Sequence, residues 1–430
     1  MVALLRTEPI FPPGASNGAS PARFQLANGL TVIHHQIPAA PVVVDAWVRA
    51  GAIAEPEPWS GMAHFLEHMI FKGTDRQPPG MFDQVIENRG GMTNAATSHD
   101  YAHYFINTAP EHLAETLPHL ADLLLNAAIP DEEFDLERDV VLEEIRQSQD
   151  DPDSLGFEAL MASLYQVHPY GRPVLGNAVG LMERSPEEMR CFHRAHYQPE
   201  NMTVVVVGDI DPQQTLDLVN DTFGSFAPPA ICPLPEKKAE PPMTGIRRQE
   251  LCLPRLGQAR LIMAWVAPGV NELRSGYGLD LLSVLLAGGR TSRLVRELRE
   301  ERQLVHDICG GFSLQRDSSL FTLTAWLDPQ HLSQVEAIVG DRLAQLAGSP
   351  IPEAELSRYQ RLLCNDYAFS TETASQLAGL YGYYHTIADV QLAAAYPRVL
   401  QSFTGRELQQ LAEQYLSPMR YAAMILRPDL

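Results

Sequence analysis

His64 and His68 stand four residues apart with Glu67 between them. On a helix, that spacing lays two imidazoles one above the other on a single face. Two ring nitrogens so placed can ligate one metal ion. Glu67, beside His68 and one turn after His64, can reach a water at that ion without being a ligand. The order His-x-x-Glu-His inverts the HExxH site, and the chemistry it suits is metal-assisted peptide-bond hydrolysis.

Zinc with two His needs a third protein ligand and an open position for water. The run Asp131 to Asp150 offers one. It lacks Gly and Pro, is strongly acidic, and carries Phe134, Val140, Val141 and Ile145 as an apolar stripe at helical spacing. Glu137 and Glu144 lie seven apart, two turns, and so nearly align, while Glu143 points about a third of a turn away. Either Glu137 or Glu144 could complete the site, and periodicity does not choose between them.

The stretch from Gly61 through His64, Glu67 and His68 to Gly73-Thr74 closely resembles the pitrilysin-type zinc metallopeptidases, a family that includes mitochondrial processing peptidases, insulin-degrading enzyme and many bacterial relatives. The resemblance continues through Gly90 to Thr97, His168 to Gly176, His196 to Thr203 and Val204 to Asp209, and spans nearly the whole chain. It implies that the third zinc ligand, about 76 residues past the second His, is Glu144. It also implies that Glu137, one heptad earlier, supports the ligands, and that Glu67 is the general base. The family's substrate adds as a strand to a sheet edge beside the metal. Asn94 and Ala95, in the expected strand Met92 to Thr97 after the Gly90-Gly91 turn, would then bind the peptide backbone. In active relatives an Arg, and a Tyr seven residues later, steady the substrate carbonyl. Here Arg299 is present, but His306 stands where the Tyr is expected. A neutral imidazole donates one hydrogen bond as a phenol does. Two readings therefore stay open: His306 substitutes for the Tyr, or a partner chain supplies the pair.

Composition narrows the class. The 430 residues allow two to four domains. No apolar stretch reaches the roughly 18 residues of a membrane helix, and Met1 to Ser16 does not read as a secretory signal. Cys191, Cys232, Cys252, Cys309 and Cys364 are scattered and without CxxC spacing. They read as buried or free thiols of a reducing compartment, which makes a bacterial cytoplasmic location the expectation. Lys+Arg 32 against Asp+Glu 53 gives −21, which argues against nucleic acid. The excess suits an acidic chamber that attracts basic peptides, and equally a plain acidic surface.

The elements that must hold these residues divide in the middle. Phe226 to Gly245 holds six prolines and little periodicity, the mark of an extended linker between a zinc-bearing domain, 1–225, and a second domain, 246–430. The two sides read as copies. Ser185 with Glu188 and Thr404 with Glu407 each open a helix with a capping box, a proline follows each at the same distance, and an apolar strand follows that. Val42 to Val48 plus the His64 helix match Leu261 to Val266 plus Gly278 to Gly289, but the later helix has no His and no Glu. The second half is then a degenerate copy forming a substrate-chamber wall. The expected fold is α+β, two similar halves, each an antiparallel-rich sheet with helices packed on one face.

The expected function is a zinc-dependent endopeptidase acting on peptides or unfolded segments. The competing expectation is a non-catalytic subunit of a hetero-oligomeric processing complex. Pairing is expected in either case, as a homodimer or with a zinc-less paralogue that carries the Arg and Tyr.

Overall fold

The computed structural model describes residues 7–9, 21–236, 238–254 and 256–429. Runs of valine build the middle of the first of two sheets, and mixed apolar residues build the middle of the second. The first contains β1 (Thr7–Pro9), β2 (Ala22–Gln25), β3 (Thr31–Gln36), β4 (Val42–Val48), β5 (Met92–Thr97), β6 (Ala102–Thr108) and β7 (Met202–Gly208), in the order β1-β2-β3-β7-β4-β6-β5. The second contains β8 (Arg247–Leu253), β9 (Ala259–Pro268), β10 (Asp307–Ser313), β11 (Ser318–Leu327) and β12 (Ala422–Pro428), in the order β10-β11-β9-β12-β8. Each has one parallel pair, β3 with β7 and β12 with β8, and is otherwise antiparallel. Read from its parallel pair outward, each sheet has the same five-strand order, so the repeat expected from the sequence is a repeat of topology.

The helices of the first half of the chain are α1 (Met62–Ile70), α2 (Met81–Glu87), α3 (Leu113–Leu125), α4 (Asp131–Asp150), α5 (Pro152–Leu164), α6 (Ala178–Met182), α7 (Pro186–His196) and α8 (Pro212–Thr222). Those of the second half are α9 (Leu273–Ala287), α10 (Leu332–Gly348), α11 (Glu353–Phe369), α12 (Ala374–Ile387), α13 (Gln391–Gln401) and α14 (Gly405–Tyr415). Ser185 with Glu188 and Thr404 with Glu407 form complete capping boxes at α7 and α14.

Two compact units result, and they depart from a simple cut at the Pro-rich segment. The first takes the chain up to Arg146, Pro173–Glu236 and Ser370–Ala394; the second takes Gln147–Arg172, Lys237–Phe369 and Ala395–Leu430. Thus α5 joins the second unit and α12 the first. In the first unit, Val42, Val44, Ala46 and Val48 of β4 face a core shared with α1, α2, α3, α4, α7 and α8. The alternate residues Val43 and Trp47 face the other way, where Ala374, Leu377, Ala378 and Tyr381 of α12 cover them. Here α12 adds cover to the second face of a sheet whose other helices lie on one side. Gly382 allows this close approach, because a Cβ there would stand 2.0 Å from Trp47 Nε1. In the second unit α5 packs against β8, β9 and β12. There, a Cβ on Gly156 would meet Leu426 Cδ1 at 2.9 Å.

One expectation from the cysteines is corrected. Cys191 and Cys232 form a disulfide with Cα atoms 6.1 Å apart, and only Cys252, Cys309 and Cys364 are free. The start of the Pro-rich segment folds back on α7, where Gln198 Nε2 donates to Ala227 O at 3.1 Å. That return brings together two cysteines 41 residues apart, a separation with no local spacing signal. The pairing removes the ground for inferring a reducing compartment. No described helix is long and apolar enough to cross a membrane.

Candidate metal centre

Helix α1 is built to present one polar face. Met62, Ala63, Phe65, Leu66, Met69 and Ile70 are buried, which leaves His64, Glu67 and His68 on the remaining side. The helix start is held by a residue that the sequence reading passed over. Glu55 is fully buried, and its carboxylate accepts from Gly61 N at 3.0 Å and Ala63 N at 2.7 Å. Those N–H groups have no partner inside the helix, and the carboxylate sits at the positive end of the helix dipole. The only signal in the sequence was an acid inside the otherwise apolar stretch Ala50 to Ala54 and Pro56.

Helix α4 delivers the glutamates. Phe134, Val141 and Ile145 are buried, and the Phe134 ring lies 4.6 Å from that of Phe65, joining α4 to α1. Val140, counted in the apolar stripe from sequence, is instead 46% exposed. Glu143 is paired with Arg146 at 2.7 Å on the outer surface, as the helical geometry required.

His64 Nε2 and His68 Nε2 stand 3.6 and 3.5 Å from the same atom, Glu144 Oε2. For bonds of about 2.0–2.1 Å at tetrahedral angles, ligand atoms around zinc are separated by about 3.4 Å. The three donors therefore have the spacing and chemical types of a zinc ligand set. Among the described residues they are the one such cluster of three His, Cys, Asp or Glu. Burial, with the neighbouring His68, lowers the His64 pKa to about 4, so its ring is neutral and able to ligate near pH 7.

Glu137 is placed differently from Glu144. Its Oε1 lies 2.9 Å from His68 Nδ1, and its Oε2 pairs with Lys72. Burial alone would raise its pKa, but hydrogen bonds from Lys72 and His68 outweigh this and hold the carboxyl below its ordinary value. A carboxylate on Nδ1 fixes the tautomer that leaves Nε2 free for a metal. Glu67 turns towards β5, where Thr97 Oγ1 donates to its Oε2 at 2.5 Å. Its pKa is raised, chiefly by burial and with a contribution from Glu144, against the opposing Thr97 bond.

Strand β5 is the outer strand of its sheet, and its free edge pairs with no other strand among the described residues. Asn94 is exposed and its Oδ1 accepts from Ala95 N at 2.9 Å; Ala95 packs on the core. Arg299 and His306 belong to the second unit. Arg299 lies in a π-helical segment, Val295–Glu301, paired with Glu300 at 3.0 Å and Asp307 at 2.8 Å. His306 is exposed, with Nε2 3.4 Å from Asp328 Oδ1. The structure thus gathers His64, Glu67, His68, Glu137 and Glu144 on α1 and α4, next to β5.

Comparison with known proteins gives the family of the chain. Residues 30–178 match the family described as Insulinase (Peptidase family M16), and residues 185–363 match the one described as Peptidase M16 inactive domain. An uncharacterised zinc protease of Mycobacterium leprae is 30% identical over 96% of this chain and 93% of its own length. Zinc protease PqqE of Helicobacter pylori is 28% identical over 94% of this chain and 92% of its own. The crystal structure of a protease from Helicobacter pylori superposes with a TM-score of 0.88 at 27% identity, over 95% of this chain and 100% of that one. Pitrilysin shares the fold, with a TM-score of 0.82 at 18% identity over 100% of this chain and 46% of pitrilysin. With both halves matched in order and a 30% identical relative along its length, the chain belongs to the pitrilysin-type peptidases of family M16.

Proposed function

We propose that this chain is a zinc-dependent endopeptidase that hydrolyses extended or unfolded peptide segments. The observation that carries the reading is the convergence of His64 Nε2 and His68 Nε2 on Glu144 Oε2, with the Glu67 carboxyl beside them. The names of its relatives, zinc proteases, support the same reaction class. His64, His68 and Glu144 would hold the ion, and Glu137 would fix the His68 ring. Zinc supplies Lewis acidity, which polarises a peptide carbonyl and acidifies water. Glu67 takes the proton of the attacking water and delivers it to the leaving nitrogen. The backbone of β5 at Asn94 and Ala95 pairs with the substrate.

The second unit carries no such metal cluster among its described residues, and we assign it to enclosing the substrate. Arg299 and His306 are assigned to its contact with the peptide, in a dimer with a second copy or with a zinc-less paralogue. Metal analysis, with cleavage of a fluorogenic peptide before and after chelation, tests the reading. One equivalent of zinc and chelator-sensitive turnover are expected. Zinc without turnover, in the presence of any partner of similar length that co-purifies, would instead identify a non-catalytic subunit.

A further inference from the structure

The second unit holds a cavity whose charge is opposite to that of the chain. It measures about 690 Å³ and lies where the π-helical segment Val295–Glu301 meets α10 and α11. Five arginines and three glutamates line it, an excess of two positive charges in a chain of net charge −21. Two of the glutamates are occupied in holding arginines. Buried Glu297 accepts a fork from Arg342, whose Nη2 stands at 2.7 Å, and also Arg302 at 2.9 Å. Glu355 accepts a fork from Arg293, at 2.9 and 2.8 Å. The two remaining arginines, Arg296 and Arg358, are exposed and less committed. Arg296 reaches Glu301 only at 3.5 Å, with both side chains 61% exposed, and such a pair contributes little. Arg358 pairs with no carboxylate among the described residues. It lies over the Tyr359 ring, 4.7 Å from its centroid, and its Nη2 donates to Tyr359 Oη at 2.8 Å and Thr291 O at 3.4 Å. Those bonds leave Nε and Nη1 with protons to donate. Both arginines face one carboxylate: the Glu355 carboxyl is held below its ordinary value first by the bond from Arg293, and further by the charges of Arg358 and Arg296, against its burial.

We infer that this cavity binds a small phosphoryl dianion, as free phosphate or as the phosphomonoester of a small molecule, between Arg296 and Arg358. The inference is independent of the peptidase reading. A phosphoryl group carries about −1.5 to −2 near pH 7, which matches the uncompensated charge of the lining. The cations are all arginines, whose planar forks pair bidentately with phosphate oxygens. Arg293 and Arg342, fixed by Glu355 and Glu297, hold the walls in place before the anion arrives, so little further ordering is needed on binding. The volume exceeds that of one phosphate and falls in the range of small-molecule sites, which leaves space for an organic remainder.

Calorimetric titration of the full chain at constant ionic strength tests this, with inorganic phosphate, glycerol 2-phosphate and a hexaglutamate peptide as probes. Phosphate should bind with a Kd of about 1 mM or lower. The double variant Arg296→Gln, Arg358→Gln should weaken it at least about tenfold. Equal binding of glycerol 2-phosphate supports a site open to phosphomonoesters, and binding of phosphate alone supports one for the free anion. Absence of binding by both up to about 10 mM overturns the site. So does binding that the double variant leaves unchanged, which would place the anion elsewhere, the metal centre included. Tighter binding of hexaglutamate overturns it in favour of an acidic protein segment. A second measurement needs no variant: phosphate should slow phenylglyoxal labelling of Arg296 and Arg358 severalfold, read by mass spectrometry, and leave Arg427, which pairs with Glu250, unaffected. Equal labelling with and without phosphate overturns the site even if the double variant does not fold.

Discussion

Helices α1 and α9 follow the matching strands β4 and β9 of two sheets with the same order, yet they are made of different residues. Helix α1 buries one side and exposes His64, Glu67 and His68 on the other. Helix α9 is buried nearly all round, with Gly276 to Leu279, Leu281 to Ser283 and Leu285 to Ala287 enclosed. A helix at this position can therefore be spent wholly on packing, and the fold does not require the polar face. The polar face of α1 is therefore an addition to a shared strand-and-helix pattern, and the candidate metal-site residues stand on it.

That contrast is broken most directly by removing a ligand. His64→Ala or His68→Ala should abolish zinc binding and lower activity by at least about a thousandfold, while the fold remains. Elemental analysis and circular dichroism report both, and a variant that keeps one equivalent of zinc would end the assignment. Next in size, Glu67→Gln should keep zinc and lose about 10²–10⁴-fold in kcat. Glu144→Gln should weaken zinc itself, and Glu143→Gln, paired with Arg146 away from the site, should change neither. An exchange of behaviour between Glu143 and Glu144 would contradict the geometry of α4.

The two crossing helices sharpen the comparison at the level of packing. Gly382→Ala drives a methyl into the Trp47 ring and should cost about 3 kcal/mol, whereas Gly156→Ala meets only the movable end of Leu426 and should cost about 1 kcal/mol. Calorimetry on the two variants gives the order; the reverse order would mean that Trp47 yields more easily than Leu426. A further effect, confined to one limb of the pH profile, concerns Asp280 of α9, whose carboxyl is pushed up to about 6 by burial, against a hydrogen bond from Tyr396. The folded state then holds this proton more tightly than the unfolded chain. Its contribution to stability is full below about pH 4, falls as pH rises to 6, and is gone above that, a loss of about 3 kcal/mol. Asp280→Asn should flatten that limb of the stability profile. An unchanged slope would show that Asp280 titrates normally.

Much of the site was legible because its spacing is local. His64, Glu67 and His68 lie within five residues, and the Glu137–Glu144 interval is set by the pitch of one helix. Periodicity could not choose between those two glutamates, since both lie on one face; the choice comes from Lys72 and His68 Nδ1, which occupy Glu137 and leave Glu144 facing the two Nε2 atoms. The repeat was legible in its capping boxes and strands. Three features were not. Glu55 acts across a turn without regular spacing, Cys191 meets Cys232 only because the chain folds back, and the apolar faces of α5 and α12 do not say which sheet they cover.

The exchange of α5 and α12 also bears on the birth of the protein at the ribosome. The outward face of the first sheet, with Ile33, Val43, Trp47, Val205 and Val207, is covered by residues 374–387, which are made last among its parts. At a synthesis rate of about 5–20 residues per second, that apolar face waits roughly ten to thirty seconds after β7 emerges. During that interval a nascent chain already carrying His64, Glu67, His68, Glu137 and Glu144 still presents a greasy, unfinished sheet, a target for chaperones and a hazard for aggregation. A gene cut at the Pro-rich segment would make that interval permanent.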